Sequence, residues 1–341
     1  TVGGCASPQS TIVVTVNPGP AAPTAGSNSP ICAGQTLNLT SNTVVGATYT
    51  WTGPNSFSSA LEDPNIPSAT TAASGTYSVT ITVGGCTSSF GTVAVIVNPT
   101  PAAPTVGSNS PVCVGQTLNL TSNTVVGATY TWTGPNSFSS ALEDPSIVSA
   151  TAAASGTYTL TVTVGGCTSV QSTTVVTVSP LPAAPTAGSN SPICAGQTLN
   201  LTSNTVVGAT YTWTGPNSFS SSLEDPVILA ATTAASGTYS VTVSVGGCTS
   251  TFGTVAVTVN PNPATPTAGS NSPICEGQTL NLTSNTVVGA VYTWNGPNTF
   301  TSSLEDPSIV NATTAASGTY SVQVTVAGCV SAAGTVVVVV N

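Results

Sequence analysis

The sequence predicts an all-β protein made of tandem antiparallel β-sandwich domains, with about seven short strands in each. Three observations carry that expectation. Measured from Pro18, the chain repeats itself four times with no insertion or deletion, each repeat opening on the next proline of the set Pro18, Pro99, Pro180 and Pro261. A period this long, with many strand signals inside it, marks whole domains in tandem and not a solenoid of small units. Apolar residues alternate with Thr and Ser over short stretches bounded by Gly, Pro and Asn, which is the period of a half-buried strand, and no helical periodicity interrupts it. Finally, each repeat carries one Tyr-x-Trp strand: Thr48 to Pro54 returns almost letter for letter as Thr129 to Pro135 and Thr210 to Pro216, and in altered form as Val291 to Pro297. Tyr49 and Trp51 share one strand face while Thr48, Thr50 and Thr52 share the other. One aromatic anchor per repeat implies one core per repeat.

The expected domains are 18–98, 99–179, 180–260 and 261–341, preceded by 1–17, which resembles the closing stretch of a repeat (compare Thr82 to Asn98). Within repeat one, Pro18 to Pro23 reads as a semi-rigid Pro-rich connector. Cys32-Ala33-Gly34-Gln35 is a turn, and Thr36 to Ser41 a strand with Leu37 and Leu39 on one face. After the Trp strand, which Gly53-Pro54 ends, come Asn55 to Leu61, the acidic turn Glu62-Asp63-Pro64 and a short segment around Ile66. Thr76 to Val83 is the clearest strand, with Tyr77, Val79, Ile81 and Val83 on one face. Gly84-Gly85 suits a hairpin turn because both glycines accept positive φ. The last strand, Thr92 to Val97, carries Val93, Val95 and Val97 inward. In 1–17, Thr11 to Val16 is a final strand without the rest of its sandwich, and such a strand must pair to satisfy its backbone. Either the missing strands lie in the same, longer chain, or the segment completes a domain of another chain by strand donation. The absence of an initiator Met and of a signal peptide fits a piece of a longer or processed protein.

The words Cys32 to Leu39, Tyr49 to Phe57, Ser74 to Ile81 and Gly84 to Ser88 recur, with substitutions, in every repeat. Together they resemble the immunoglobulin-like, PKD-like repeats of secreted surface proteins in Bacteroidota. That resemblance implies tandem immunoglobulin-like sandwiches serving as stalks, spacers or adhesin shafts at a cell surface. Ser74-Gly75-Thr76-Tyr77 also resembles the tyrosine corner of antibody domains, but Val79 stands where the antibody cysteine would be, so that disulfide is absent.

The nine cysteines are Cys5, Cys32, Cys86, Cys113, Cys167, Cys194, Cys248, Cys275 and Cys329. Their separations alternate: the step from Cys5 to Cys32 is short, the step from Cys32 to Cys86 is twice as long, and the two alternate to the end of the chain. Metal-ligand spacing is missing and the chain has no His, so the pattern reads as a secreted disulfide framework. Three pairings fit the arithmetic. Bonds within a repeat, such as Cys32 to Cys86, leave Cys5 over. Bonds across a connector, such as Cys86 to Cys113, strand Cys329. Bonds between neighbouring repeats, such as Cys32 to Cys167, leave Cys5, Cys86 and Cys275. A standard immunoglobulin arrangement sets the two cysteine-bearing turns at opposite ends, against the first pairing. The family resemblance implies that first pairing all the same.

The chain contains no Lys, Arg or His and nine acidic residues. Without cations it has no electrostatic grip on phosphates, which argues against nucleic acid and anionic membranes as partners. No apolar stretch approaches the ~20 residues of a membrane-spanning helix. A surface of Ser, Thr, Asn, Gln and Gly lacks charge repulsion against association, so copies of the same protein are the expected partners, beside the cell surface. Glu62-Asp63, Glu143-Asp144, Glu224-Asp225 and Glu305-Asp306 are candidate calcium sites with backbone carbonyls. They equally fit solvated turns, and Glu276 is the ninth acid. With no His, Lys or Arg beside them they make poor catalytic pairs, and no enzyme is expected. Asn38, Asn119, Asn200, Asn281 and Asn311 match the N-glycosylation pattern, although outward strand polarity already accounts for Asn38. The Thr-rich faces offer an array for a ligand, but β-propensity explains them.

The function expected is the structural repeat region of an extracellular filament or stalk that self-associates into a fibre, a rod advancing about 40 Å per repeat. The alternatives are an adhesin whose repeats bind a surface or carbohydrate, and a spacer beside an enzyme outside this piece. One consequence is direct: trypsin has no cleavage site, so the urea-unfolded chain stays at full length on a gel after digestion, and any fragment would contradict the expectation.

Overall fold

The structure, a computed structural model, describes residues 3–6 and 8–341. The chain forms two compact units, Thr1–Val178 and Ser179–Asn341. Each unit holds two of the sequence repeats, and the strand pattern of the first repeat recurs in the others.

That first repeat contains β1 (Ala25–Ser27), β2 (Ile31–Cys32), β3 (Leu37–Ser41), β4 (Thr48–Gly53), β5 (Phe57–Ser59), β6 (Asn65–Ile66), β7 (Gly75–Val83), β8 (Cys86–Thr87), β9 (Gly91–Val95) and β10 (Val97–Asn98). β1, β3 and β6 form one antiparallel sheet. β5, β4 and β7 form the other, with β8 and β9 following one another along the far edge of β7. The expected sandwich is present in each repeat. The strands beyond the expected seven, β2, β8 and β10, are two-residue pairings, too short to display alternation in a sequence. One of them departs from the antiparallel expectation: β10 runs parallel to β2, with Val97 beside Ile31 and Asn98 beside Cys32.

Alternation does what the pattern requires. In β4, Tyr49 and Trp51 are buried while Thr48, Thr50 and Thr52 face water. In β7, Tyr77, Val79 and Ile81 are buried. They join Leu37, Leu39, Val95 and Val97 in one apolar cluster, and equivalent clusters lie in the second, third and fourth repeats. Trp51 is fully enclosed, at 0% exposure. Leu61, in contrast, is turned to solvent, since it precedes a turn that is held by its backbone and not by this side chain.

Three glycines are demanded by geometry. Gly84 and Gly85 adopt φ of +55° and +85°, the two positive values of a tight hairpin turn. Gly53 allows the Tyr77 ring to lie against the backbone, because a Cβ there would sit 2.3 Å from a ring carbon. The Tyr77 ring meets Phe57 edge to face, centroids 5.4 Å apart, and its hydroxyl donates to the Ala73 carbonyl at 3.0 Å. The tyrosine corner resembled by the Ser-Gly-Thr-Tyr word is therefore formed.

Thr11 to Val16 does not form the expected strand. Its residues lie outside regular structure, with Ile12, Val13, Val14 and Val16 all exposed. A strand requires a neighbour for its backbone bonds, and among the described residues this segment has none. The expectations that fall on Thr1, Val2 and Ser7 lie outside the described residues.

Burial raises the pKa of Tyr77, Tyr158, Tyr239 and Tyr320 above 10.0. The protonated hydroxyl is the form that fits the core, so its contribution is complete below pH ~10 and is lost as pH rises through the folded-state pKa. Urea midpoints followed by Trp fluorescence should hold steady to about pH 10 and fall above it. A midpoint unchanged to about pH 12 would contradict this role.

Candidate functional site

Two chemical features recur outside the cores, a cysteine joint and an acidic turn. The joint begins where β2 ends. Cys32 is held by Gln35, whose side-chain oxygen accepts the Cys32 N–H at 2.9 Å while the Gln35 N–H donates to the Cys32 carbonyl at 3.0 Å. Gly34 turns the chain there at φ +92°. In repeat two, Cys167 follows the Gly165-Gly166 hairpin turn. Cys32 and Cys167 are bonded, with Cα atoms 5.6 Å apart and a separation of 135 residues. In the second unit Cys194 and Cys329 repeat the bond at the same separation, Cα atoms 5.5 Å apart.

Polar contacts flank each joint. In the first unit the Asn98 side chain donates to the Gly165 carbonyl at 2.8 Å and Thr100 Oγ1 to the Ala33 carbonyl at 3.1 Å. In the second, Asn260 donates to Ala327 at 3.4 Å and Asn262 to Ala195 at 3.0 Å.

The bond within a repeat, Cys32 to Cys86, is thus corrected to a bond between neighbouring repeats. The registers explain it. β9 runs antiparallel to β7, placing Val95 beside Gly75, and β10 continues past that end to lie against Cys32. Cys86 instead lies past Val83, at the other end of the nine-residue β7. At ~3.3 Å per residue these ends stand about 30 Å apart, far beyond the reach of a disulfide. Of the remaining cysteines, Cys113 ends a strand with its N–H on Gln116, and Cys248 opens one. Cys5, Cys86 and Cys275 are free thiols.

The acidic turn joins the two sheets of each sandwich. Trp51 Nε1 donates to the Glu62 carbonyl at 3.0 Å. The Asp63 carboxylate accepts the Ser41 N–H at 2.8 Å, and the Pro64 carbonyl accepts the Leu39 N–H at 2.9 Å. The Glu62 carboxylate accepts the Thr43 hydroxyl. Glu143-Asp144, Glu224-Asp225 and Glu305-Asp306 make the corresponding bonds. Each carboxylate is therefore turned to its own donor, and no group of three or more His, Cys, Asp or Glu fit to hold a metal occurs among the described residues. These bonds account for the pairs as structural latches, and calcium binding there rests on the sequence pattern alone. Glu276 lies beside Cys275 with its N–H on the Asn341 carbonyl at 2.9 Å. Asn38, Asn119, Asn200, Asn281 and Asn311 are all exposed.

The sequence missed the Gln35 latch on Cys32, although Cys-x-x-Gln recurs in every repeat. It also missed a shallow cleft against the buried tyrosine in repeats two to four, lined in repeat two by Pro135, Asn136, Phe138, Ser149 and Tyr158.

No protein-family model and no curated protein matches the chain. Among solved structures, the mouse nectin-like molecule 4 ectodomain (Ig1–Ig3) aligns at 12% identity over 68% of this chain and 96% of that one, with a TM-score of 0.33. Murine CEACAM1b aligns at 14% identity over 46% of this chain and 100% of that one, TM-score 0.31. Drosophila OTK extracellular domains 3–5 align at 11% identity over 67% and 93%, TM-score 0.31. Likeness at this level says nothing of what the chain does. No helix among the described residues is long and apolar enough to cross a membrane.

Because each bond links two cores and closes neither, reduction should open the joints while leaving every sandwich folded. Peptic mapping should return Cys32–Cys167 and Cys194–Cys329, and dithiothreitol should leave far-UV circular dichroism and Trp fluorescence unchanged. A Cys32–Cys86 peptide, or loss of Trp burial on reduction, would refute the assignment.

Proposed function

We propose that the chain is the structural repeat region of an extracellular filament or cell-surface stalk, non-enzymatic, whose copies associate into a fibre. The observation that carries the reading is a set of apolar side chains held in water at the same place in every repeat. Val45, Val126, Val207 and Val288 are each more than 90% exposed, and Leu61, Leu142, Leu223 and Leu304 are also exposed. A single exposed valine is ordinary in any protein. Identical ones recurring once in every repeat add weak contacts multivalently once two copies align. No Lys or Arg is present to interrupt that surface.

Disulfides between neighbouring repeats support an oxidising, extracellular setting, and bonds that limit how far the chain lengthens when a repeat opens suit a load-bearing role. The resemblance to Bacteroidota surface repeats agrees with it. The clefts beside Tyr158, Tyr239 and Tyr320 favour a second reading, an adhesin that takes a small ligand once per repeat. A glycan-array screen addresses that reading.

Negative-stain micrographs of the concentrated protein should show fibres, and salt should promote them by screening the net charge of −9. Replacing Val45, Val126, Val207 and Val288 together by Asp should leave the fold intact and abolish association. Dispersed monomers at every concentration and salt would overturn the reading.

A further inference from the structure

We propose that each disulfide between neighbouring repeats is a tension strap, which carries pulling force past both sandwich cores, so that an oxidised unit barely lengthens under load while a reduced one opens. This rests on the load-bearing stalk proposed above and names the element that bears the load.

The route of the force follows from the strand registers. In repeat one the chain from Ala25 to Cys32 runs along the length of the sandwich. Ala25 pairs with Ser41, and the loop after Ser41 lies at the Val83 end, where the Tyr49 hydroxyl meets Asn42 and Val44 and Thr48 pairs with Thr82. Cys32 lies at the other end, beside Asn98. In repeat two the chain from Cys167 to Ser179 crosses the sandwich in the same way. Cys167 pairs with Val164, Val176 pairs with Gly156 at the opposite end of that strand, and Val178–Ser179 continues beyond it. The Cys32–Cys167 bond joins the two legs end to end. Force entering at Ala25 and leaving at Ser179 thus has a covalent route that omits 33–166. The omitted chain holds Trp51 and Tyr77 of one core and Trp132 and Tyr158 of the other.

Length determines whether that route tightens before the cores are loaded. Fully extended, the first leg spans about 25 Å and the second about 40 Å, against sandwich ends about 30 Å apart. Both legs are therefore nearly taut in the folded unit. Without the bond, the 135 residues from Cys32 to Cys167 join the route, and their extended length is about 450 Å. Force then passes between β2 and β10, a parallel two-residue pair pulled from opposite ends. The bonds from the Ile31 N–H to the Ile96 carbonyl at 3.1 Å and from the Ala33 N–H to the Asn98 carbonyl at 2.8 Å would be sheared together. Cys32 sits inside that pair, so the strap is anchored where an unstrapped repeat would begin to open.

The second unit is built alike. Cys194–Cys329 has the same separation as the first bond. The strand Ala187–Ser189 precedes Cys194 and Gly334–Val338 follows Cys329, while Trp213 and Trp294 lie in the omitted chain.

A dithiol releases the strap. One thiolate of the reductant attacks a sulfur of the bond and expels the other cysteine, which takes a proton. The reductant's second thiolate then displaces the first cysteine, so that two electrons and two protons pass to the protein and a cyclic disulfide leaves.

The test holds the wild-type chain at constant force in optical tweezers, through peptide tags at its two termini. The oxidised tether should lengthen by tens of ångströms only, and dithiothreitol added under load should release hundreds. Chymotrypsin then reports which part of the chain carries the force. Every Phe, Tyr and Trp lies between Cys32 and Cys167 or between Cys194 and Cys329, and Phe90 and Phe252 are exposed. Leu181, outside both straps, is protected because Pro182 follows it. In chymotrypsin the oxidised tether should hold at unchanged length and the reduced tether should part. Cys32→Ser should lengthen and part without reductant. As a control that needs no variant, wild-type protein nicked at Phe90 and Phe252 should run as one band on a non-reducing gel and as fragments after reduction. Lengthening of the oxidised tether by hundreds of ångströms, its parting in chymotrypsin, or a Cys32→Ser tether that behaves as wild type would each overturn the proposal. Fibres from a chain whose oxidised tether parts would sink the strap and leave the self-association reading standing. A tether that holds, in a chain that never forms fibres, would count against self-association alone.

Discussion

The indole N–H of Trp51 on the Glu62 carbonyl is the contact on which the rest of each repeat depends. A fully buried Trp satisfies its one donor or carries a desolvation cost of about 1–3 kcal/mol. Here the acceptor is the backbone of the turn that leads from the five-stranded sheet to the three-stranded one. Because that carbonyl is fixed, Asp63 is placed at the Ser41 N–H and Pro64 at the Leu39 N–H. The largest side chain in the core thus also sets the spacing of the two sheets. The same bond recurs at Trp132, Trp213 and Trp294, so four cores share one construction.

That construction explains why the acidic pairs persist in a chain that otherwise avoids charge. A carboxylate accepting a backbone N–H at a strand end binds more strongly than a neutral group would. Ser41 closes β3, where the ladder leaves that N–H in need of an acceptor. Read as residues on a turn, Glu62 and Asp63 suggest a cation. The structure shows what each carboxylate does in the fold: Asp63 accepts the Ser41 N–H and Glu62 the Thr43 hydroxyl.

Strand faces were legible from the sequence to a high degree, because Tyr77, Val79 and Ile81 alternate cleanly with Thr and Ser and that period has a single structural meaning. The Gly84-Gly85 turn was legible for the same reason: few residue pairs accept two positive φ values. The cysteine connectivity was not. Alternating short and long separations are compatible with three pairings, and what decides among them is which end of β7 each cysteine reaches, a property of the parallel β2–β10 pairing. Two-residue strands carry no periodic signature, so neither that pairing nor the position of Cys32 could be read in advance. The exposure of Leu61 was hidden likewise, because apolarity alone does not say that the neighbouring backbone already holds the turn.

The two kinds of contact differ in what they can transmit. A core held by apolar burial and a Trp hydrogen bond unfolds cooperatively, and nothing of it persists once it opens. A disulfide between Cys32 and Cys167 persists whether or not either sandwich is folded, since it belongs to neither core. The polypeptide already joins the repeats, so what the bond adds is a limit on how far the chain between Cys32 and Cys167 lengthens when a repeat opens. The surface is a third, separate matter: apolar residues such as Val45 and Val126 stand in water in a chain with no Lys or Arg, whose nine acids are four Glu-Asp pairs and Glu276. Any contact made through such a side chain is weak and reversible, while Cys32–Cys167 and Cys194–Cys329 are covalent.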